Sequence, residues 1–156
     1  MRIPPPVLAL GAGVAQRALT RGAGRPTAAR TVVAVGITIA STGLAEGAHR
    51  RFRRIGTTTN PFDPAQASAL VTTGPNASTR NPMYVGMAGL LVANAVRRGS
   101  WTALLPVAAF VAVIDRLQIL AEEAALEAKF GAEYADYRAA VPRWLDRRSL
   151  EPFLND

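Results

Sequence analysis

Four predominantly apolar segments, residues 7–19, 31–45, 84–96 and 101–114, limit what this chain can fold into more than any other feature. Each is apolar on all sides and rich in Gly and Ala, and arginines gather at the segment ends. A soluble bundle needs helices striped at a period of about 3.6 residues, whereas all-round apolarity with small residues suits helices packed closely within a bilayer. The segments are only 13–15 residues long. A straight helix needs roughly 20 residues to cross hydrocarbon, so flanking residues must snorkel or the bilayer must thin. The expectation is an all-α, integral membrane helical bundle of about four transmembrane helices, a single domain over residues 1–156. The alternative, a soluble bundle of buried helices, accounts less well for the missing stripe.

Composition sharpens this reading. A chain that is 49% hydrophobic and carries net charge +7 must segregate charge from apolarity. The pI of 11.2 raises nucleic acid as a partner. The basic residues are nearly all Arg, lie at the ends of apolar runs and lack interleaved aromatics, which fits a bilayer surface and no nucleic acid. With no cysteine and only His49, the chain offers no disulfide, no thiolate nucleophile and no metal-ligand cluster. Arg2 ahead of the apolar run 7–14 has the outline of a secretory leader. No small-residue cleavage site precedes a polar start, however, and further apolar segments follow, so the run is read as a helix.

Residues 97–100, Arg-Arg-Gly-Ser, form a tight link that makes the third and fourth segments an antiparallel hairpin. The loop 50–81 and the C-terminal region then share one side, with 12 of the 18 basic residues, and the other side holds six. That excess predicts a cell-membrane protein with both termini cytoplasmic. The cluster 50–54 (Arg-Arg-Phe-Arg-Arg) is read as a topology signal rather than a headgroup patch, and Glu46 and His49 as interfacial residues rather than a polar relay. Residues 57–64, with three threonines and two prolines, read as a loop, and no strand pattern or repeat is visible.

From Leu117 the fourth helix becomes amphipathic: Leu117, Leu120, Ala121, Ala124 and Ala128 mark one side, and Glu122, Glu123, Glu127 and Lys129 lie elsewhere. Gly131 caps it, a short helix carries Tyr134 and Tyr137 on one face and stops before Pro142, and Trp144 and Leu145 follow as interfacial anchors.

The stretch 70–89 is a polar loop running into an apolar helix. Gly74-Pro75 signals a turn, and Pro82 suits a first helical turn, where a missing N–H is no loss. Unpaired N–H groups at such a terminus favour an anion. Glu122 and Glu123 are adjacent, about 100° apart on an undistorted helix, so both cannot face one ligand; one is then structural.

The segment Arg80-Asn81-Pro82-Met83-Tyr84-Val85-Gly86 follows Thr73-Gly74-Pro75 and precedes Glu122-Glu123, with Phe130-Gly131 and Tyr134 and Tyr137 beyond. In that order these motifs resemble the isoprenylcysteine carboxyl methyltransferase and phospholipid methyltransferase family, integral membrane enzymes that use S-adenosylmethionine. The resemblance covers about residues 49–145. It implies cofactor contacts from Ser68, Ala69, Leu70 and Val71, from Asn76, from Arg80, Asn81, Pro82, Met83, Tyr84 and Gly86, and from Glu122 or Glu123. It also implies a lipophilic small molecule or lipid, entering from the bilayer, as methyl acceptor.

Three departures stand out. The family's usual histidine is Asn81, an aromatic often found after the Gly-Pro turn is Asn76, and the arginine that engages a prenylcysteine carboxylate falls on Gln118, with Arg116 two residues away. Arg80, Asn81, Arg116 and Gln118 are therefore the candidates for positioning the reactants, with no acid or base required. The runner-up is a non-catalytic membrane protein that binds a lipid or a partner helix on the same scaffold.

Overall fold

The computed structural model describes residues 3–57 and 66–151. Most of the 57–64 loop, Arg2 and the end of the polar tail lie outside the described residues. Within them every regular element is helical and none is a strand. Helix α1 (Pro5–Leu19) is followed by α2 (Ala28–Ile55), the one-turn α3 (Pro75–Ser78) and α4 (Pro82–Arg98). A continuous rod comes next, in which a 3-10 turn (Trp101–Ala103) leads into α5 (Leu104–Val113), a π-helical stretch (Ile114–Ile119) and α6 (Leu120–Phe130). Helix α7 (Ala132–Ala140) and a 3-10 turn (Arg147–Leu150) complete the described chain.

Two helices are long and apolar enough to cross a membrane, Ala28–Ile55 and Trp101–Phe130. At about 1.5 Å per residue their 28 and 30 residues exceed the roughly 30 Å of hydrocarbon. These two are longer than their apolar cores because they continue through charged turns at the interface. Helices α1 and α4, at 15 and 17 residues, remain shorter than the hydrocarbon is thick. Only 11% of the most apolar window of α2 is buried, which a core helix of a soluble protein would not tolerate. Val32 and Ile39 on α2, Leu10 and Val14 on α1, and Leu105 on the rod all point outward. A surface this apolar belongs against lipid, and the protein is a membrane protein. It is expected to need detergent for monodispersity, which size-exclusion chromatography in plain buffer checks.

The polarity of α6 runs opposite to that of a soluble amphipathic helix. Its apolar side faces out, with Leu117 70% and Leu120 46% exposed, while Glu123 is buried. Against lipid, the apolar side is the outer one and charges turn inward where partners satisfy them. Gln16 shows the same logic in α1: fully buried, its side-chain amide donates to the Leu91 and Ala103 carbonyls at 2.8 and 2.9 Å and accepts from Asn94 at 2.7 Å.

Helices α2 and α4 form the closest pair. A Cβ placed on Gly86 would lie 2.8 Å from both the Ala45 Cβ and the Ser41 carbonyl oxygen, so only glycine permits this approach. Gly86→Ala is therefore expected to cost about 1–3 kcal/mol by forcing the helices apart, read as earlier unfolding in a detergent titration. The predicted hairpin at 97–100 is present, turned by Gly99 at φ 62°, whose N–H bonds to the Ala95 and Val96 carbonyls. The α1 N-terminus, the α2 C-terminus and the α4 N-terminus consequently gather at one end, together with α6 and α7.

Candidate functional site

At that end lies a mostly apolar cleft of about 290 Å³. This is close to the lower end, roughly 300 Å³, of small-molecule sites. Its walls come from distant parts of the chain: Pro5 and Pro6 of α1, Phe52 of α2, Ala67, Ala69, Leu70 and Val71 of the loop, Asn76 of α3, Arg80 to Tyr84 at the start of α4, and Glu122, Glu123 and Leu126 of α6. Of the residues singled out from the sequence, all of the cofactor set line it except Ser68 and Gly86. Gly86 faces α2, and the Ser68 hydroxyl reaches the Gly56 carbonyl. Arg116 stays outside, its side chain 79% exposed beside Asp115, and Gln118 does not line the cleft but donates to Glu122, which does.

The local sequence explains how the walls are set. Gly74 takes φ 66°, a left-handed conformation that favours glycine, and turns the chain into Pro75 at the first position of α3. Arg51 of α2 donates twice to the Thr73 hydroxyl, at 2.9 and 2.7 Å, and ties this turn to the bundle. Asn81 occupies the cap position of α4 but makes no cap bond. Its amide donates instead to the Arg143 carbonyl at 3.0 Å, which also accepts from the Thr79 hydroxyl at 2.9 Å. The Arg80 N–H returns a bond to the Pro142 carbonyl at 2.8 Å. The motif segment and the chain after α7 therefore clasp one another. Asn81→Ala, which removes one of these bonds, is expected to cost about 1 kcal/mol; Asn81→His, which keeps a donor, is expected to stay nearer the parent in the same unfolding titration.

The adjacent glutamates serve different partners. Glu123 accepts from Arg80 Nη2 at 2.7 Å and, in a two-pronged pair, from Arg143 Nε and Nη2 at 2.9 and 2.6 Å. The Glu123 and Arg80 side chains are only 10% and 8% exposed, so this is a desolvated, charge-compensated lock. Arg143 extends it to Asp115, which also receives the Trp144 indole N–H at 2.9 Å. Trp144, expected at the interface, thus has a specific partner and packs against the core cluster of Tyr84, Leu91 and Phe110. Glu122 instead accepts from the Tyr84 hydroxyl at 2.6 Å and from Gln118 Nε2 at 2.7 Å. Gln118 lies in the π-helical stretch, the local distortion just ahead of the glutamates.

Tyr134 and Tyr137 form the floor, rings edge to face with centroids 6.3 Å apart. Burial, with the Glu123 carboxylate nearby, pushes the Tyr134 phenol up to about 12, so it stays neutral. The Tyr137 hydroxyl donates to the Asn76 carbonyl at 2.7 Å. Two buried polar atoms of the lining have no partner among the described residues, Asn76 Oδ1 and Arg80 Nε.

The sequence reading did not include Phe52, Pro5, Pro6, Met87 and Leu126 in the wall, nor Arg143 in the lock. The apolar residues carry no signal separating them from lipid-facing ones. For Arg143 the signal was weak: two carboxylates, Asp115 and Glu123, that needed a cation from some later turn.

The model of the family described as phospholipid methyltransferase matches residues 29–133, more than half of the chain. The chain belongs to that family. Membership points to a membrane methyltransferase acting on lipid-like molecules, and the family includes the isoprenylcysteine carboxyl methyltransferases. The matched region takes in the start of α4 and both glutamates of α6. An uncharacterized protein of Haemophilus influenzae is 43% identical over 63 residues, 40% of this chain and the whole of that relative. No solved structure matches.

Proposed function

We propose that this phospholipid methyltransferase family member transfers a methyl group from S-adenosylmethionine to an apolar or amphiphilic acceptor at the cytoplasmic face of the cell membrane. The observation that carries the reading is the cleft, where both motifs meet and where Asn76 Oδ1 and Arg80 Nε are buried without partners. Buried polar atoms are rarely left unpaired, and a ligand with a donor and an acceptor accounts for both. The residues present fit this cofactor: Glu122 for an ammonium group, Arg80 Nε for a carboxylate, Asn76 for an N–H donor, and Tyr84 with Met83 and Leu126 for the adenosyl and apolar parts.

When bound, the cofactor supplies an electrophilic methyl group on a positively charged sulfur. Displacement there disperses charge and gains most from alignment and exclusion of water; a carboxylate or thiolate acceptor needs no base, whereas an amine must arrive neutral. Tyr84 and Gln118 hold the Glu122 carboxylate in a fixed direction, and the lock through Glu123 holds Arg80. Pro5, Pro6, Phe52 and Met87 keep the cleft dry and form the side from which an acceptor in the bilayer approaches. Calorimetry in detergent tests cofactor binding; no heat at millimolar S-adenosylmethionine would leave a non-catalytic binding protein. Incubation with methyl-labelled cofactor and a host lipid extract identifies the acceptor by which molecule becomes labelled.

A further inference from the structure

The opposite end of the bundle has a charge distribution that the methyl-transfer reading does not use. Segments 17–30 and 97–102 carry six arginines, Arg17, Arg21, Arg25, Arg30, Arg97 and Arg98, and no aspartate or glutamate. At the cleft end, by contrast, Arg50, Arg80, Arg116, Arg138, Arg143 and Arg148 lie in ion pairs, while Arg51, Arg53, Arg54 and Arg147 do not among the described residues. The six remote arginines make none among the described residues. Cations of one sign in this number attract anions from outside the chain.

One of the six, Arg30, borders a hollow at this end. A cavity of about 260 Å³ lies between Arg30 of α2, Ala95 and Gly99 of α4 and its cap, and Ser100, Trp101 and Leu104 of the following turn. The Arg30 guanidinium lies against Gly99, where a side chain of any size would displace it. Arg98 Nη1 is held by the Thr20 hydroxyl at 3.0 Å, and its Nε is buried without a partner. Trp101 is 87% exposed at the rim. An exposed tryptophan at the end of a membrane helix marks headgroup level, where phosphates lie, and guanidinium groups match phosphate oxygens in pairs.

We propose that this end of the bundle is a binding site for an anionic phospholipid: Arg30 takes the phosphate, Ser100 the polar headgroup, and Trp101 and Leu104 the start of the acyl chains. The site is independent of the methyl-transfer cleft, which lies at the other end of the same helices. Its chemistry is that of a phosphate diester carrying net negative charge, and the lipid rather than a free anion is favoured by the apolar half of the cavity.

The test uses the full chain in nanodiscs of phosphatidylglycerol or of phosphatidylcholine, with unfolding followed by temperature and bound lipid counted by native mass spectrometry after detergent exchange. The protein is expected to unfold later in phosphatidylglycerol and to retain that lipid. Arg30, whose side chain makes no hydrogen bond or ion pair among the described residues, is the test position: Arg30→Gln is expected to lose retention several-fold while remaining monodisperse, with Arg30→Lys recovering part of it. Arg54→Gln, an exposed arginine at the cleft end, is expected to change nothing. Equal stabilisation by the two lipids, or an equal loss in Arg54→Gln, overturns the proposal. Inorganic phosphate is expected to give no shift in detergent; if it reproduces the full effect of phosphatidylglycerol, the site takes a free anion and the lipid assignment is overturned.

Discussion

Glu123→Ala is expected to destabilise the protein by about 3–5 kcal/mol, the cost of leaving buried charge uncompensated. Two guanidinium groups depend on this carboxylate, Arg80 at 2.7 Å and Arg143 at 2.6 Å. Arg80 keeps its bonds to the Arg138 and Val141 carbonyls, but these are neutral acceptors and do not cancel its charge. Arg143 retains only Asp115 at 3.2 Å. The end closed by α7 should therefore loosen first, because the clasp between residues 79–81 and 142–143 depends on the same two arginines. Unfolding in mixed micelles measures the loss, and protease sensitivity after α7 locates it. A change below about 1 kcal/mol would mean that Glu123 is not the centre of the lock.

Glu122→Gln separates the two neighbours. Glutamine still offers an oxygen to Tyr84 and Gln118, so stability should move by less than about 1 kcal/mol. If Glu122 holds the cofactor ammonium, removing its charge costs about 1–3 kcal/mol of binding. Calorimetry with S-adenosylmethionine reads this directly, and labelled methyl transfer should fall with it. Unchanged affinity would remove Glu122 from that role. Of the paired acids, one change should thus damage the fold and the other the site, although both side chains border the same cleft.

Much of this arrangement was legible in the chain itself. The helical character, the hairpin at residues 97–100, the end of the rod at Gly131 and the stop before Pro142 all follow from apolar runs and their Gly and Pro punctuation, which act over a few residues. At residues 31–45 the apolar run marks only part of a longer helix, because apolarity measures only the lipid-facing part of a helix that continues through charged turns; the continuation of the fourth helix past residue 114 was legible in its amphipathic turns. The outward side of α6 was not legible either. The same pattern, Leu117 and Leu120 opposite Glu123, faces its apolar half inward in water and outward in lipid, so the pattern gives a period but no direction.

Sequence alone determined a helical membrane chain whose two motifs, some 40 residues apart, resemble those of the phospholipid methyltransferase family. It also fixed that adjacent glutamates cannot do the same work, because a helix turns them apart. Tertiary structure decided which glutamate does which. Arg143, 20 residues beyond Glu123, folds back after α7 to pair with it, and Tyr84, 38 residues before Glu122, reaches across from α4. Asn81 was likewise assigned by the fold, to the Arg143 carbonyl 62 residues away. The physical reason is common to all three. Helix, turn and span depend on neighbours along the chain, whereas a charge or an amide finds its partner only when packing has brought distant backbone within hydrogen-bond reach.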